Sequence, residues 1–242
     1  MSKQLHSAMR SILKMPYFKN DAARSGSTDN GHEESIAARL VAAGFTRMSK
    51  NQVPALTKEV AGEWIASGFE PMTFLLERTG RELKRNPERT KRFKSMPKGS
   101  FICQPGGSHS FPDTIIRDFD GRFIAIEAKS SENATSPMWN DSLPRAGAIY
   151  IWSTLKSNRT TFAMGQDLID DEITMLRKEI NEKVAKLREE YSSMVELADR
   201  KKRGYKLSFR PQNFQEGGGN ISDWIAHPDC KQCEINVLEF AK

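Results

Sequence analysis

A β-hairpin pattern near the middle of the 242-residue chain constrains the fold more than any other feature of the sequence. Two arms rich in apolar residues, Asp113–Arg117 and Arg122–Lys129, flank the turn pair Asp120-Gly121. A third strand is predicted over residues 148–154, because the uninterrupted apolar run AIYIWST is typical of a central strand that is covered on both faces. The sequence therefore predicts an α/β (α+β) protein with a central mixed β-sheet flanked by helices.

Helical periodicity is found on both sides of this hairpin. Residues 31–45 place Ile36 and Leu40 one turn apart and contain Gly44 as a stop, which predicts a helix. Residues 55–83 predict further helices. Residues 167–203 carry apolar residues every three or four positions and acid-first charge pairs four residues apart, which predicts a long helical arm. This arm is nearly neutral, so we expect it to pack on its own core or on a second subunit.

The predicted elements divide the chain into four regions. Residues 1–30 are expected to form an N-terminal segment with an amphipathic turn and a polar linker. Residues 31–165 contain the core with its N-terminal helices, and residues 166–204 contain the helical arm. Residues 205–242 are expected to complete the core, with a last strand over the segment EINVLEF at residues 234–240.

The charge balance favours a polyanionic partner. The chain has 37 Lys and Arg residues against 31 Asp and Glu residues, which gives a formal net charge of +6. No run approaches the roughly 18 consecutive apolar residues that a membrane span needs, and the N-terminus lacks the apolar core of a secretory signal. Three cysteines, Cys103, Cys230 and Cys233, are too few for a disulfide framework. We therefore expect a soluble cytoplasmic protein of a bacterial or phage type, with no membrane partner.

A basic strip, residues 84–98, precedes the hairpin. It contains seven Lys or Arg residues and one acidic residue, so it alone carries a charge equal to the excess of the whole protein. Lys and Arg clustered on one segment release counterions from nucleic acid, which predicts phosphate contacts. The predicted contact residues are Arg89, Lys91, Arg92, Lys94 and Lys98. The alternative is a solvated connecting segment.

Acidic and basic side chains meet at one end of the predicted hairpin. Strand alternation places Glu127 and Lys129 on the same face of the second arm, and pairing across the turn brings Asp113 close to Glu127. A carboxylate and an ammonium on a largely apolar strand are costly to bury unless each is paired or holds a metal. Hard divalent cations prefer oxygen ligands, and the carbonyl of Ala128 could supply another one.

These residues resemble the PD-(D/E)xK nuclease superfamily. The pattern is Pro112-Asp113, thirteen intervening residues, and then Glu127-Ala128-Lys129. The helix that carries Glu33 and Glu34 is similar to the first helix of that family, which often bears an additional acidic residue near the metal. The resemblance covers Gly31 to Phe45 and about Gln104 to Thr154. It implies a restriction-endonuclease-like core.

The resemblance also implies roles for these residues. Asp113 and Glu127 would bind Mg²⁺, and Lys129 would orient or help deprotonate the attacking water and offset charge on the phosphorane. Of the two helix acids we prefer Glu33 as an accessory metal ligand, because it shares the stripe of Ile36 and Leu40. The competing interpretation is an ion pair at a strand end with a structural role alone.

The predicted activity is Mg²⁺-dependent hydrolysis of phosphodiesters in double-stranded DNA. A single chain of this length that carries no helicase, ATPase or methyltransferase motif is most similar to a type II restriction endonuclease, which usually acts as a homodimer on a short palindrome. One alternative is a structure-specific or repair nuclease. An alternative of another class is a non-catalytic DNA-binding or coiled-coil assembly protein.

Polar residues on both sides of the hairpin are further candidates for DNA contacts. Those upstream are Gln104, Ser108 and His109, and those downstream are Ser130, Asn133 and Asn140. Turn or loop positions without a DNA contact are an equal alternative for each of them. Near the C-terminus, His227, Cys230 and Cys233 suggest half of a zinc site, but no second Cys/His pair has suitable spacing, so ordinary cysteines are expected there.

Overall fold

A mixed sheet of six strands lies at the centre of the part of the chain that the computed structural model describes, which is residues 2–18, 31–48, 96–104, 111–132, 144–191 and 223–242. The strands are β1 (Thr46–Arg47), β2 (Ser100–Cys103), β3 (Thr114–Arg117), β4 (Phe123–Ser131), β5 (Ala148–Thr154) and β6 (Arg159–Met164), hydrogen-bonded in that order. The helices are α1 (Lys3–Ile12), α2 (Gly31–Ala42), α3 (Asp171–Glu190) and α4 (Pro228–Phe240). The predicted mixed α/β class is confirmed.

The chain divides into two compact units. The larger unit contains Met1–Pro137, Pro144–Leu168 and Gly217–Lys242, and therefore the described sheet together with α1, α2 and α4. The smaller unit contains Met138–Leu143 and Ile169–Glu216. Its helix α3 lies within the predicted arm, where Lys183 pairs with Glu179 at 2.5 Å, as the acid-first spacing predicts. Four apolar residues of the predicted stripe are exposed on α3: Ile173, Leu176, Ile180 and Leu187.

The predicted hairpin is confirmed as β3 and β4, which pair antiparallel. Gly121 in the turn has a φ of +100°, a left-handed conformation that glycine adopts without steric cost. Strand β2 extends the antiparallel pairing on one side of β3, and β5 pairs parallel to β4 on the other. The hairpin therefore occupies the middle of the sheet rather than an edge.

Strand β5 is the interior strand that its apolar run predicts. All seven of its residues are buried, and Trp152 is among the largest fully buried side chains. It pairs with β4 on one side and with β6 on the other. The parallel pairing of β4 with β5 requires a long crossover connection, and residues 132–147 provide it.

The N-terminal segment contributes to the sheet unit. The expected amphipathic turn is a ten-residue helix, α1, in which the Ser2 hydroxyl accepts a hydrogen bond from the Leu5 N–H. The apolar face of α1 is buried and packs against α2 and α4. Residues after α1 continue beside β6, where Thr160 donates a hydrogen bond to the carbonyl of Met15. The predicted polar linker at residues 19–30 lies outside the described residues.

The predicted C-terminal strand is wrong, because residues 234–240 belong to helix α4. Pro228 occupies the first turn, and the His227 side chain accepts a hydrogen bond from the Asp229 N–H, which together start a helix. Its buried positions, 230, 233, 234 and 237, follow helical spacing. Residues that favour β-strands are common near the end of the chain, and they obscure the helical spacing of the buried positions.

Helix α4 is fastened to β6 by what we call the Glu234 cluster, which consists of Arg159, Thr161, Cys230 and Glu234. Nη2 of Arg159 lies 2.8 and 3.0 Å from the two carboxylate oxygens of Glu234. The Thr161 hydroxyl donates to Oε1 of Glu234 at 2.7 Å, and the Cys230 thiol lies 3.3 Å from the same hydroxyl. The carboxylate of Glu234 is thus fully supplied with donors.

Gly165 permits a close approach between two chain segments at the end of β6. A Cβ atom at this position would lie 1.8 Å from the carbonyl oxygen of Arg145, a distance that no side chain can tolerate. Arg145 precedes β5, so the missing side chain lets the start of β5 and the end of β6 pack directly against each other.

Several predictions concern residues outside the described ranges. These include the helices expected over residues 55–83, most of the basic strip and the last third of the helical arm. Within the described ranges, no helix has the length and apolar character needed to cross a bilayer.

Candidate active site

The register of the hairpin brings Asp113 next to Glu127. Thr114 at the start of β3 pairs with Ile126 of β4, so Asp113 is the next residue opposite Glu127. Strand β4 continues to Ser131, beyond the point where β3 begins, and pairs there with β5. The pairing of β3 with β4 consequently ends next to Glu127, while β4 runs on. This opening lies at the end of the hairpin opposite the turn.

The Asp113 side chain fills part of this opening. Its Oδ2 accepts a hydrogen bond from the Ala128 N–H at 2.8 Å, in the place where a longer β3 would have supplied a carbonyl. The N–H and C=O groups of one strand residue project to the same side. The Ala128 carbonyl therefore also faces the side on which Asp113 lies, as expected for a backbone ligand.

Glu127 and Lys129 share one face of β4, as predicted, and they form an ion pair. Nζ of Lys129 lies 2.7 Å from Oε1 of Glu127, and their side chains are 32% and 13% exposed. The second oxygen, Oε2, is buried and has no hydrogen-bond partner among the described residues. A buried carboxylate oxygen without a donor is costly, so this atom is available to a ligand.

Helix α2 adds a third carboxylate. Glu33 accepts a hydrogen bond from Nε2 of Gln104 at 3.1 Å, and its charge acts on Asp113. The neighbouring Glu34 forms a bidentate ion pair with Arg47 at 2.6 and 2.7 Å. The two adjacent acids of α2 therefore have different surroundings. We call Glu33, Asp113, Glu127 and Lys129 the acidic cluster.

The surroundings of Asp113 in the acidic cluster raise the pKa of its carboxyl group. Burial raises the pKa of Asp113 to about 7, and the charges of Glu127 and Glu33 add to the rise. The hydrogen bond from Ala128 and the charge of Lys129 act in the opposite direction. A carboxyl group with a pKa raised by burial and by like charges is characteristic of functional sites.

The donor set of the acidic cluster fits a hard divalent cation. Mg²⁺ is usually held by one or two carboxylates and keeps several waters, so Asp113, Glu127 and the Ala128 carbonyl are sufficient ligands for it. Within the described ranges, no three His, Cys, Asp or Glu side chains are gathered closely enough to hold a metal ion by themselves. Water would therefore complete the coordination of a cation at this site.

The remaining predicted contact residues are only partly brought to the site. Gln104 lies at the acidic cluster, and Ser130 follows Lys129 on β4, opposite Ser153 of β5. Lys98 is exposed and lies over Gly121, so it occupies the turn end of the hairpin, away from Asp113. The other eight candidates lie outside the described residues: Arg89, Lys91, Arg92, Lys94, Ser108, His109, Asn133 and Asn140.

The C-terminal cysteines behave as ordinary buried residues. Cys230 and Cys233 are free and buried on α4, and His227 caps that helix and stacks on Trp224. Burial raises the pKa of Cys233 to about 12, so its thiol stays protonated at neutral pH, whereas zinc binds the thiolate. The expectation of ordinary cysteines agrees with this arrangement.

Several neighbours of the site were not predicted from the sequence. Arg47 is one, because its ion pair with Glu34 joins β1 to helix α2. Another group includes Phe111, two residues before Asp113: the guanidinium of Arg145 lies 4.7 Å from the ring centre of Phe111, and the Arg145 N–H donates to the hydroxyl of Tyr150 at 2.8 Å. No periodicity or motif of the sequence marks these contacts.

Comparison of the chain with protein-family models, with curated proteins and with solved structures gives no match. The resemblance to the PD-(D/E)xK superfamily therefore depends on the residues and their arrangement, chiefly on Asp113, Glu127 and Lys129 at the open end of the hairpin.

Proposed function

We propose that the protein is a Mg²⁺-dependent endonuclease of the PD-(D/E)xK type, which hydrolyses phosphodiester bonds in double-stranded DNA. The observation that carries the proposal is the hydrogen bond from the Ala128 N–H to Asp113, which holds this carboxylate beside Glu127 and Lys129 where β4 extends past β3. The mixed sheet with helices agrees with a restriction-endonuclease-like core. In this proposal the acidic cluster is the active site.

Asp113 and Glu127 would hold the cation, together with the carbonyl of Ala128. Asp113 keeps Oδ1 available while Oδ2 is engaged by Ala128, and Glu127 offers the buried Oε2. When bound, Mg²⁺ would polarise the scissile phosphate and lower the pKa of a coordinated water. Glu33, on α2, adds negative charge near Asp113 and serves as an accessory ligand, directly or through water.

Lys129 supplies the cationic donor of the site. Its ammonium is held at 2.7 Å from Glu127 and is about one third exposed, so it is oriented by the protein and still accessible to solvent. From this position it can donate hydrogen bonds to an attacking water and to the negative charge that develops on the phosphoryl oxygens. The same contact also fits a structural ion pair, which the experiments on Lys129 separate from catalysis.

Among such nucleases we propose a type II restriction endonuclease, acting as a homodimer on a short palindromic site. A two-fold protein reads a two-fold sequence with identical surfaces. The basic strip, with Arg89, Lys91, Arg92 and Lys94, is proposed to contact phosphates, which position the duplex without reading its sequence.

The test is incubation of the purified full chain with plasmid and bacteriophage DNA and Mg²⁺, followed by sequencing of the fragment ends. We expect discrete fragments whose ends share one two-fold symmetric sequence, and no cleavage when a chelator removes the metal. The matched pair of variants is Asp113→Asn and Asp120→Asn, because Asp120 lies at the turn end of the same hairpin.

Other results of the cleavage assay would contradict the proposed function or favour an alternative. Cleavage that depends on junctions, mismatches or flaps, without a common sequence, would favour a structure-specific or repair nuclease. Metal-independent cleavage, or an Asp113→Asn variant as active as the wild type, would refute the proposed site. DNA binding without any cleavage would favour a non-catalytic DNA-binding protein.

A further inference from the structure

Gln104 links the two parts of the acidic cluster that come from distant segments. It is the first residue after β2, and its N–H donates a hydrogen bond to the carbonyl oxygen of Asp113. Its side-chain Nε2 donates to Oε2 of Glu33 at 3.1 Å. One residue therefore contacts the backbone that presents Asp113 and the carboxylate that α2 contributes.

The backbone of Gln104 is in an uncommon conformation. Its φ is +49°, in the left-handed region that residues other than glycine, asparagine and aspartate rarely adopt. Such conformations persist where surrounding contacts determine them, and they concentrate at functional sites. Here the conformation accompanies two simultaneous contacts, the backbone contact to Asp113 and the side-chain contact to Glu33.

The chemistry of the donor distinguishes Glu33 from Glu34. Glu34 is neutralised by the Arg47 guanidinium in a bidentate ion pair. Glu33 is held by the amide of Gln104, which donates a hydrogen bond but carries no charge. An amide donor fixes the direction of a carboxylate without adding a positive charge to it, as expected of a group that orients a metal ligand.

We propose that Gln104 is a positioning residue, which orients Glu33 relative to Asp113 so that both carboxylates act on one bound divalent cation. This inference rests on the proposed function and deepens it. It assigns Gln104 a place inside the site rather than a direct contact with DNA. Asp113 and Glu33 would lose their common orientation if the amide were removed, although both carboxylates would remain.

The test is a Gln104→Gly variant of the full chain. Glycine adopts a φ of +49° without steric cost and keeps the N–H that binds Asp113, so this substitution removes the side-chain amide selectively. Binding of Mn²⁺ alone, an ion that also prefers carboxylate and carbonyl oxygens, is measured from the free-ion electron spin resonance signal. We expect about tenfold weaker Mn²⁺ binding with an unchanged or higher melting temperature.

A double-mutant cycle shows whether Gln104 acts through Glu33. Glu33→Gln should weaken Mn²⁺ binding by itself, and adding Gln104→Gly to it should cause no further loss. Glu34→Gln is the matched control, since it alters the adjacent acid that Arg47 already neutralises, and it should leave Mn²⁺ binding unchanged. Gln104→Asn, which tolerates the same backbone conformation and keeps a shorter amide, should fall between the wild type and Gln104→Gly.

Four results would overturn the inference. Wild-type Mn²⁺ affinity in Gln104→Gly is one, and an equal loss in the Glu33→Gln background is another. The third is a loss of Mn²⁺ binding that only parallels a loss of thermal stability, because that would make Gln104 a structural residue. The fourth is a wild-type protein that neither binds Mn²⁺ nor cleaves DNA, in which case the proposed function fails first. The first three leave the proposed function intact.

Discussion

Two polar clusters within the same compact unit differ in how many hydrogen-bond donors surround their carboxylates. In the Glu234 cluster, one carboxylate is surrounded by donors from Arg159, Thr161 and Cys230. In the acidic cluster, Glu127 pairs with Lys129 through one oxygen, and its Oε2 lacks a hydrogen-bond partner among the described residues. The first carboxylate has donors on both oxygens, whereas Glu127 keeps one buried oxygen without a donor.

This difference separates a structural role from a functional one. A buried carboxylate that is completely paired joins elements together, and removing it leaves its donors unpaired. A group of carboxylates in excess lowers stability, because each charge is poorly solvated and repels the others. In the proposed function, a bound cation would offset this charge.

Asp113→Asn should abolish cleavage and keep the fold. Loss of a direct metal ligand removes several kcal/mol of charge stabilisation in the transition state, which corresponds to a rate at least about a thousandfold lower. Asparagine can still accept the hydrogen bond from Ala128. Single-turnover cleavage and thermal unfolding are measured together, with Asp120→Asn as the control. Normal cleavage by Asp113→Asn would show that the acidic cluster is not the active site.

Lys129→Ala should slow cleavage by about a hundredfold and leave DNA binding nearly unchanged, because a single proton donor or acceptor contributes about that factor. The measurement is single-turnover cleavage with Mg²⁺ beside DNA binding with Ca²⁺. If Lys129 instead served only to pair with Glu127, its removal would strand a buried carboxylate and lower the free energy of unfolding by roughly 3 to 5 kcal/mol. A large fall in melting temperature with parallel loss of DNA binding would therefore show that Lys129, like the Glu234 cluster, has a structural role.

Glu234→Ala should have the reverse profile. We expect a loss of about 2 kcal/mol in the free energy of unfolding, because the charge-assisted hydrogen bonds from Arg159 and Thr161 disappear. Arg159 is 42% exposed and can return to water, which limits the loss. Urea unfolding measures this value, with the exposed Glu239→Ala on the same helix as the control. Cleavage per folded molecule should not change; a change would mean that the Glu234 cluster also serves the site.

Stability should also depend on pH through Asp113. The pKa of Asp113 is raised to about 7 in the folded protein, from an ordinary value of 3.8. The folded state therefore retains a proton that the unfolded state releases between these values, and the contribution of Asp113 to stability falls as the pH rises through this window. Melting temperatures of the wild type and Asp113→Asn should diverge between pH 4 and pH 8, with the variant higher at pH 8. A difference in melting temperature that does not change with pH would contradict the raised pKa of Asp113.

The sequence predicted the centre of the fold because local patterns encode it. The hairpin follows from strand alternation around Asp120-Gly121, and the interior position of β5 follows from its apolar run. The alternation and the pairing across the turn also predict that Asp113, Glu127 and Lys129 lie together. Contacts between residues that are close in the sequence were therefore the most predictable.

Other features could not be predicted because their causes are not local. The segment at residues 234–240 contains β-forming residues, but Pro228 and the buried spacing of α4 decide for a helix. The contact of Gln104 with Glu33 joins residues that are 71 positions apart. The two short or polar strands β1 and β6 gain their stability from partners, so their own sequences carry little signal.

The absence of a side chain at position 165 has a consequence for how such a protein can diversify. The ends of β5 and β6 touch there through the carbonyl of Arg145, so any substitution of Gly165 would push the strands apart. Random mutagenesis of the chain should recover variants at most surface positions and almost none at this one. Position 165 should consequently stay glycine while exposed positions of the chain change.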